Sequence, residues 1–408
     1  MSATIPNGEK RVTSRMRMRP FTFAASFGLL CSMSISLWLA QPASSAASTT
    51  TTAPPGAALR LEAIDFSAPL TGFGVFTEST SGYKCSDYVG KTSDGGKVFT
   101  SLVDAMSWNC TNLYGSLLAT DGHGDAFLYG PQFFVSHDNA KTWSRVRVSG
   151  TVLDVSTVGL SVWLVVSTCT HAGTVTDVPC PVHVLESNNG GRSWESSPVS
   201  PRGDVGGFSY NLADGQSYLV RTSRSNAYLM LSPSFNTHGG PDVVPVWFTS
   251  NGGRSWSNRR VTCHFGAMSA VLSVSPNGTL MAVCASEPSA GEQIKSVLDS
   301  TNGGRTWVLK TDSNINFGYL GTVDLVSTQE AFLVGDRSPL LVTHDGGTHW
   351  QAVRNVAAGG GGDSSFVEFF DASHGLVFGN DDNNNEKLTL WRTADGGKHW
   401  SAKVPLIE

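Results

Sequence analysis

Residues 300–307 read STNGGRTW, and the same eight-position pattern returns six more times along the 408-residue chain. The other copies are TSDGGKVF at 92–99, SHDNAKTW at 136–143, SNNGGRSW at 187–194, TSNGGRSW at 249–256, THDGGTHW at 343–350 and TADGGKHW at 393–400. In general form the octapeptide is Ser or Thr, any residue, Asp or Asn, any residue, Gly, two residues of any kind, and an aromatic. Its third position falls at Asp94, Asp138, Asn189, Asn251, Asn302, Asp345 and Asp395, so successive copies are 44, 51, 62, 51, 43 and 50 residues apart. A period near 50 residues signals a propeller or a solenoid.

The segments between copies carry a second regularity. An apolar strand runs into a turn and a second strand follows, as in AIDFSAPLTGFGVF at 63–76, VDLVSTQEAFLVG at 323–335 and VEFFDASHGLVFG at 367–379. Weaker versions occupy 153–167, 208–220 and 271–284. A short strand follows each octapeptide, as at 144–148 and 401–405. Each unit therefore reads as four strands, and four-stranded units repeated around an axis are propeller blades. Seven of them over residues 59–408 close into a ring and hide the sheet edges. The expected fold is an all-β, seven-bladed β-propeller of four-stranded antiparallel blades, with the octapeptide as the hairpin between strands three and four. Composition agrees: 44 glycines in 408 residues exceed the usual share of about 7%, and a charged fraction of 15% lies below the usual 25% or so. No helix-period segment occurs after Ala40.

The N-terminus is separate. Lys10, Arg11, Arg15, Arg17 and Arg19 precede an apolar run over 21–40, and Ser44, Ala46 and Ala47 offer small-residue cleavage positions. That is the layout of a secretory signal, with an uncleaved membrane anchor as the rival. Residues 1–47 are thus a signal or anchor, 48–58 a Thr/Pro-rich linker, and 59–408 the propeller. Removing 1–47 leaves 23 basic against 32 acidic residues and moves the net charge from −5 to −9. That sign is a poor match for a phosphate backbone, so a nucleic-acid partner is excluded. An exported or cell-envelope protein is expected. Six cysteines remain, Cys85, Cys110, Cys169, Cys180, Cys263 and Cys284. They allow 15 pairings, and their order along the chain suggests the local bridges 85–110, 169–180 and 263–284. No CxxC spacing supports a zinc site. No metal or cofactor is expected.

The repeat resembles the Asp-box, or bacterial neuraminidase repeat, of the sialidase-like propellers. In this chain the third-position side chain can accept backbone N–H groups of its own turn. The fifth-position Gly permits positive φ, and Trp143, Trp194, Trp256, Trp307, Trp350 and Trp400 cap the hairpins. Ala140 for Gly and Phe99 for Trp mark the two turns expected to depart from the family geometry. Seven equivalent copies point to a structural device rather than a ligand site.

Function is expected elsewhere. The octapeptides lie on one face with the turns between strands one and two, while loops between strands two and three lie on the other. The long insertions, 168–182, 222–245, 285–296 and 380–387, fall in that second set and so define an insertion-rich face. Its candidate binding residues are Arg221, Arg224, Tyr228, His238, Asp242, Asp336 and Arg337, joined by His171, Asp177, Glu287 and Glu292. The NDDNNNE run at 380–386 lacks the glycine of a calcium loop and reads as a solvated hairpin.

Catalysis has less support. Sialidases need three arginines, a Tyr–Glu pair and an acid, and no Arg-Ile-Pro context occurs here; Arg60 is the lone arginine between residues 48 and 144. No HExxH, nucleophile elbow or complete phosphate loop is present. The resemblance is closer to photosystem II assembly-factor-like propellers, whose implied role is a non-catalytic scaffold. A binding or assembly propeller recognising a protein or glycan is expected, with an exo-acting glycosidase of sialidase type as the alternative.

Overall fold

The computed structural model describes residues 59–80, 84–109, 116–130, 132–167, 180–197, 204–205, 217–232, 242–312, 315, 318–356, 366–381 and 387–407. The expected signal and linker lie outside them. Among the described residues there is no helix, and seven antiparallel sheets follow one another along the chain. Blade one is Leu59–Ala68, Thr71–Thr80, Lys84–Thr92 and Val98–Asn109; blade five, equally regular, is Ser269–Val274, Leu280–Ala285, Lys295–Ser300 and Val308–Thr311. The first strands of consecutive blades lie against one another and form the inner ring. The fourth strands are outermost; in blades two, three, four, six and seven they span only two or three residues, which leaves short unpaired edges.

Polar side chains, most of them on the inner strands, stitch neighbouring blades. Thr120 Oγ1 donates to Asp65 Oδ2 at 2.6 Å, and Thr157 Oγ1 to Thr120 O at 2.9 Å. The Leu219 amide donates to Asp154 Oδ2 at 2.7 Å, and the Ala270 amide to Ser232 Oγ at 2.9 Å. Leu325 N donates to Ser273 Oγ at 2.9 Å and Phe369 N to Asp324 Oδ2 at 2.6 Å. An inner-edge strand has backbone donors with no strand beyond it, so a neighbour's acceptor satisfies what would otherwise be a costly orphan group. The ring closes differently. The C-terminal strand Leu406–Ile407 pairs in parallel with Val98–Asn109 of blade one, and Arg392 of blade seven donates to Gly95 O at 2.6 Å and to Pro69 O. Phe66 and Phe370 then meet across the closure, centroids 6.0 Å apart.

The octapeptides form the hairpins between third and fourth strands, and their chemistry repeats. In blade six, Thr343 Oγ1 donates to Asp345 Oδ1 at 2.9 Å while accepting the Gly347 amide at 2.9 Å. Asp345 Oδ1 also accepts the amides of Thr348 and His349. Positions four and five both have positive φ in every copy, including Asn139 and Ala140 at 61°. The two substituted turns keep the geometry of the rest: Ala140 N reaches Ser136 Oγ at 3.0 Å and Gly96 N reaches Thr92 Oγ1 at 2.9 Å. The expected departure does not occur, because Ala tolerates the left-handed region at a cost of about 1 kcal/mol and the side chains of Ala140 and Phe99 supply none of the hydrogen bonds that close their turns.

The eighth residue packs against the preceding blade. Trp194 meets Phe133 edge-on at 5.6 Å, Trp256 meets Trp163 at 6.0 Å and Trp400 meets Phe332 at 6.0 Å. Trp307 packs on the blade-four core around Tyr228 and Met230, and Trp350 on the blade-five core around Met281 and Val297. Phe99 does the same toward blade seven, among Phe370, Leu376 and Leu390. An aromatic is required because one large apolar body must fill the wedge between two twisted sheets.

Candidate binding face

Strand order sets the two faces. The turns between strands one and two hydrogen-bond to the octapeptides, as in Gly346 N to Gln329 O at 2.8 Å, so both occupy one face. The loops between strands two and three, and the connections between blades, occupy the other.

This divides the residues expected on the insertion-rich face. In blade four the first strand is Ser217–Arg221 and the second Ala227–Leu231. Residues 222–226 are therefore a tight first-to-second turn, closed by Thr222 N to Asn226 O at 3.0 Å, and belong to the octapeptide face. The single insertion expected over 222–245 is divided by that turn and the strand Ala227–Leu231; of the rest, Ser232 and 242–245 are described, with Val243–Val244 a short strand. Arg221 is wholly buried. Its guanidinium lies 4.2 Å over the Trp163 ring and donates to Ser161 O, Ser161 Oγ and Arg224 O at 2.9–3.0 Å. Burial pushes its ionisation down and Glu186 pulls it back. It works as a clamp between blades three and four. Arg224 supplies the accepting carbonyl, and Tyr228 is buried against Phe248, centroids 4.8 Å apart. His238, His171 and Asp177 lie outside the described residues.

Asp242, Asp336, Arg337, Glu287 and Glu292 do belong to the insertion-rich face. On this face the loop of blade five is bonded to the start of blade six. Ala290 and Gly291, at φ 53° and 85°, turn a small hairpin paired between Ser289 and Glu292, as a type I′ turn requires. Gln293 ties it down: Nε2 donates to Ser286 O at 2.9 Å, Oε1 accepts the Leu320 amide at 2.9 Å, and its own amide donates to Gly318 O at 3.1 Å. Lys295 is buried beneath, its Nζ donating to the carbonyls of Gln293 and Gly318 at 3.1 Å each. Desolvation pushes its ammonium down to about 8, with Glu292 acting the other way.

Above this network Arg337 is exposed, with φ 54°. A non-glycine residue held there stores strain, and such positions cluster at ligand clamps. Its guanidinium lies 5.9 Å from the Tyr319 ring centroid, and a Cβ on Gly291 would sit 3.3 Å from its Nη1. Toward blade four, the short strands Val243–Val244 and Val261–Thr262 pair, and the Cys263 amide donates to Asp242 O at 2.7 Å. Cys263–Cys284 is disulfide-bonded, as one of the three suggested bridges. Cys85 is disulfide-bonded too; Cys110 and Cys169 lie outside the described residues, and Cys180 begins the third strand of blade three. His264 Nδ1 is 2.5 Å from Asp312 and its ring lies 4.5 Å from that of Phe265, which is 45% exposed. Val243 and Ile294 are also exposed on this face. Sequence reasoning missed Tyr319, Gln293, Lys295 and Phe265; only the run Cys263-His264-Phe265 carried a signal, an exposed aromatic pinned beside a cystine.

Among the described residues of the inner strands no sialidase-type triad of arginines is present. Among the described residues the inner strands hold two arginines, Arg60 and Arg221. Arg60 pairs with Glu62 at 3.3 Å, and Arg221 is the buried clamp. Among the described residues no three metal-ligating side chains converge.

No protein-family model matches the chain. Among solved structures it is similar to YCF48 from Cyanidioschyzon merolae, at 17% identity over 85% of this chain and 96% of that one, TM-score 0.50. It is also similar to an ancestral GH74 enzyme, at 13% identity over 86% of this chain and 47% of that one, TM-score 0.52. A YCF48 bound to D1 peptide aligns over 70% of this chain and 80% of its own at 14% identity, TM-score 0.46. The chain thus has a seven-bladed β-propeller fold. That fold carries both an enzyme and a protein that is not named as one, so the site must decide the function.

Proposed function

We propose that this chain is an exported, non-catalytic β-propeller that binds a protein or glycan through its insertion-rich face. The observation that carries the reading is Arg337, strained and exposed at the seam of blades five and six. It is set on a hydrogen-bonded base and flanked by Tyr319 and Gly291, with Phe265 exposed toward blade four on the same face. Aromatic faces and a rigid guanidinium suit a ligand with both apolar and polar groups. The inner-ring carboxylates Asp65, Asp154 and Asp324 serve as acceptors between blades, which argues against a hydrolytic pair. Export is supported by the basic, apolar, small-residue N-terminus and by the paired cysteines. The octapeptides are read as Asp-box hairpins with a structural role.

The test is a screen of the secreted protein against an immobilised glycan array and an array of extended peptides. Hits lost in Arg337→Gly and kept in Asp345→Ala support the reading. Hits with the reverse pattern, or turnover of a fluorogenic sialoside, overturn it. N-terminal sequencing of secreted material tests export: a mature chain beginning near residue 48 is expected, and a retained 21–40 segment would replace the signal by an anchor.

A further inference from the structure

Six of the seven octapeptides share one bond that the seventh lacks. The backbone N–H at position four donates to the turn between strands one and two of the same blade: Gly95 to Leu70 O, Asn139 to Gly124 O, Gly190 to Leu160 O, Gly252 to Ser225 O, Gly346 to Gln329 O and Gly396 to Ser373 O, all at 2.8–2.9 Å. In blade five that turn is Ser275-Pro276-Asn277-Gly278-Thr279, and it closes on itself. Ser275 N donates to Thr279 O at 2.8 Å and Gly278 N to Ser275 O at 2.9 Å. Among the described residues no acceptor takes the Gly303 amide.

From this we propose that Asn302 is a site of self-modification, deamidating faster than the other folded Asn–Gly pairs at 189, 251 and 277. In this reaction the Gly303 nitrogen loses its proton and attacks Asn302 Cγ. An N–Cγ bond forms, the Cγ–Nδ2 bond breaks, and ammonia leaves with a proton. Water then opens the resulting succinimide to aspartate or isoaspartate, so no oxidant or further reactant is needed. Three features of the fold converge on this residue. Among the described residues the attacking nitrogen has no acceptor to hold its proton and its direction. Glycine places no Cβ beside the attack, and Asn302 is exposed to water and base. Ser300 Oγ and the Thr306 amide both point at Asn302 Oδ1 from 3.0 Å, where negative charge gathers as the nitrogen adds. Asn189 and Asn251 have comparable donors, but their following amides are tied to Leu160 O and Ser225 O, and Gly278 is tied to Ser275 O.

The aspartate product fits without rebuilding the turn. Asn302 Nδ2 now donates to Thr306 Oγ1 at 2.7 Å. In blade two the same two positions are Asp138 and Thr142, and there the hydroxyl donates to the carboxylate at 2.7 Å. Reversing one hydroxyl converts the first arrangement into the second. The isoaspartate product inserts an extra backbone atom and breaks the octapeptide.

The experiment holds the purified, disulfide-intact protein folded at mildly alkaline pH, digests samples over time, and quantifies the amide-to-acid mass change at residues 189, 251, 277 and 302. A parallel sample is kept in denaturant. In the folded protein Asn302 is expected to convert at least about fivefold faster than the other three, the ratio set by one net backbone hydrogen bond. In denaturant the four rates should converge. Equal rates in the folded protein, or a faster Asn189 or Asn251, overturn the proposal. So does a ranking that persists in denaturant, since sequence rather than fold would then set it. Asn302→Asp should melt with the wild type, and a large drop would overturn the claim that the aspartate product fits.

Discussion

The two faces of the ring are built by opposite means. The octapeptide face repeats one local solution seven times, each copy closing on its own serine or threonine, its own third-position carbonyl oxygen and its own backbone. The insertion-rich face at blades four to six is held by contacts distant in sequence: a cystine between Cys263 and Cys284, Gln293 bonded to Gly318 and Leu320, and Lys295 buried under both blades. The first is regular because the hydrogen bonds inside each octapeptide span no more than four residues, and the one bond that leaves it goes to a turn of the same blade. The second is individual because each bond joins segments that chain folding alone brings together. Regularity suits a scaffold; individuality suits recognition.

That contrast breaks most severely at the inter-blade aromatics. Trp163→Ala removes a buried indole that carries both Trp256 and the Arg221 guanidinium, and a loss of about 3–5 kcal/mol is expected by denaturant titration. On the other face, Cys263→Ser with Cys284→Ser is expected to cost about 2–4 kcal/mol and to weaken any ligand found on the arrays. Unchanged binding would separate the cystine from the site.

Asp154 sharpens the comparison through pH. Burial raises its carboxyl to about 7, against opposing hydrogen bonds from Leu219 N and Val155 N. The folded state thus keeps a proton that the unfolded chain releases near 4, and stability falls as pH rises between those values. Asp154→Asn, whose amide oxygen can still accept from Leu219, is expected to flatten that decline and to gain on the order of 2 kcal/mol at pH 8. Asp345 runs the other way. The His349 amide, the His349 ring and Thr343 Oγ1 hold its carboxyl well below the usual range despite some burial. Its stabilisation is present above the unfolded carboxylate pKa near 4 and is lost as pH falls below it. Asp345→Ala should lower the melting temperature slightly at neutral pH, remove that acid sensitivity, and leave binding intact. The smallest expected effect on stability is that of Arg337→Gly, within about 0.5 kcal/mol, because strain relief at φ 54° and added chain entropy oppose each other. Its effect on binding should be the largest of the set.

The octapeptides also show how far residue identity can be read locally. The copies with Asn at position three carry Ser193, Ser255 or Thr306 four residues on, and the amide donates to that hydroxyl at 2.7–2.8 Å. Two copies with Asp carry His349 and His399 there, and the carboxylate meets the ring at 2.6 Å. Such pairs were visible in the sequence once the turn was known, since both partners lie within one hairpin. Blade four was not legible in the same way. The short strand Ser217–Arg221 and the turn after it resemble the start of a loop, so the sequence alone offers Arg221 as a binding residue, whereas it is a buried clamp. Nothing local to Arg221 announces Trp163, which lies 58 positions earlier in the chain.

The sequence by itself determined the blade count, the all-β architecture and the face that each octapeptide occupies, because these follow from hydrogen bonds and apolar alternation within a few residues. The tertiary structure alone decided which carboxylates are acceptors between blades, which arginine is buried, and that Gln293, Lys295, Tyr319 and Arg337 share one seam. Those outcomes depend on how adjacent sheets meet around the ring, and each blade's side chains are chosen by a neighbour some 50 residues away.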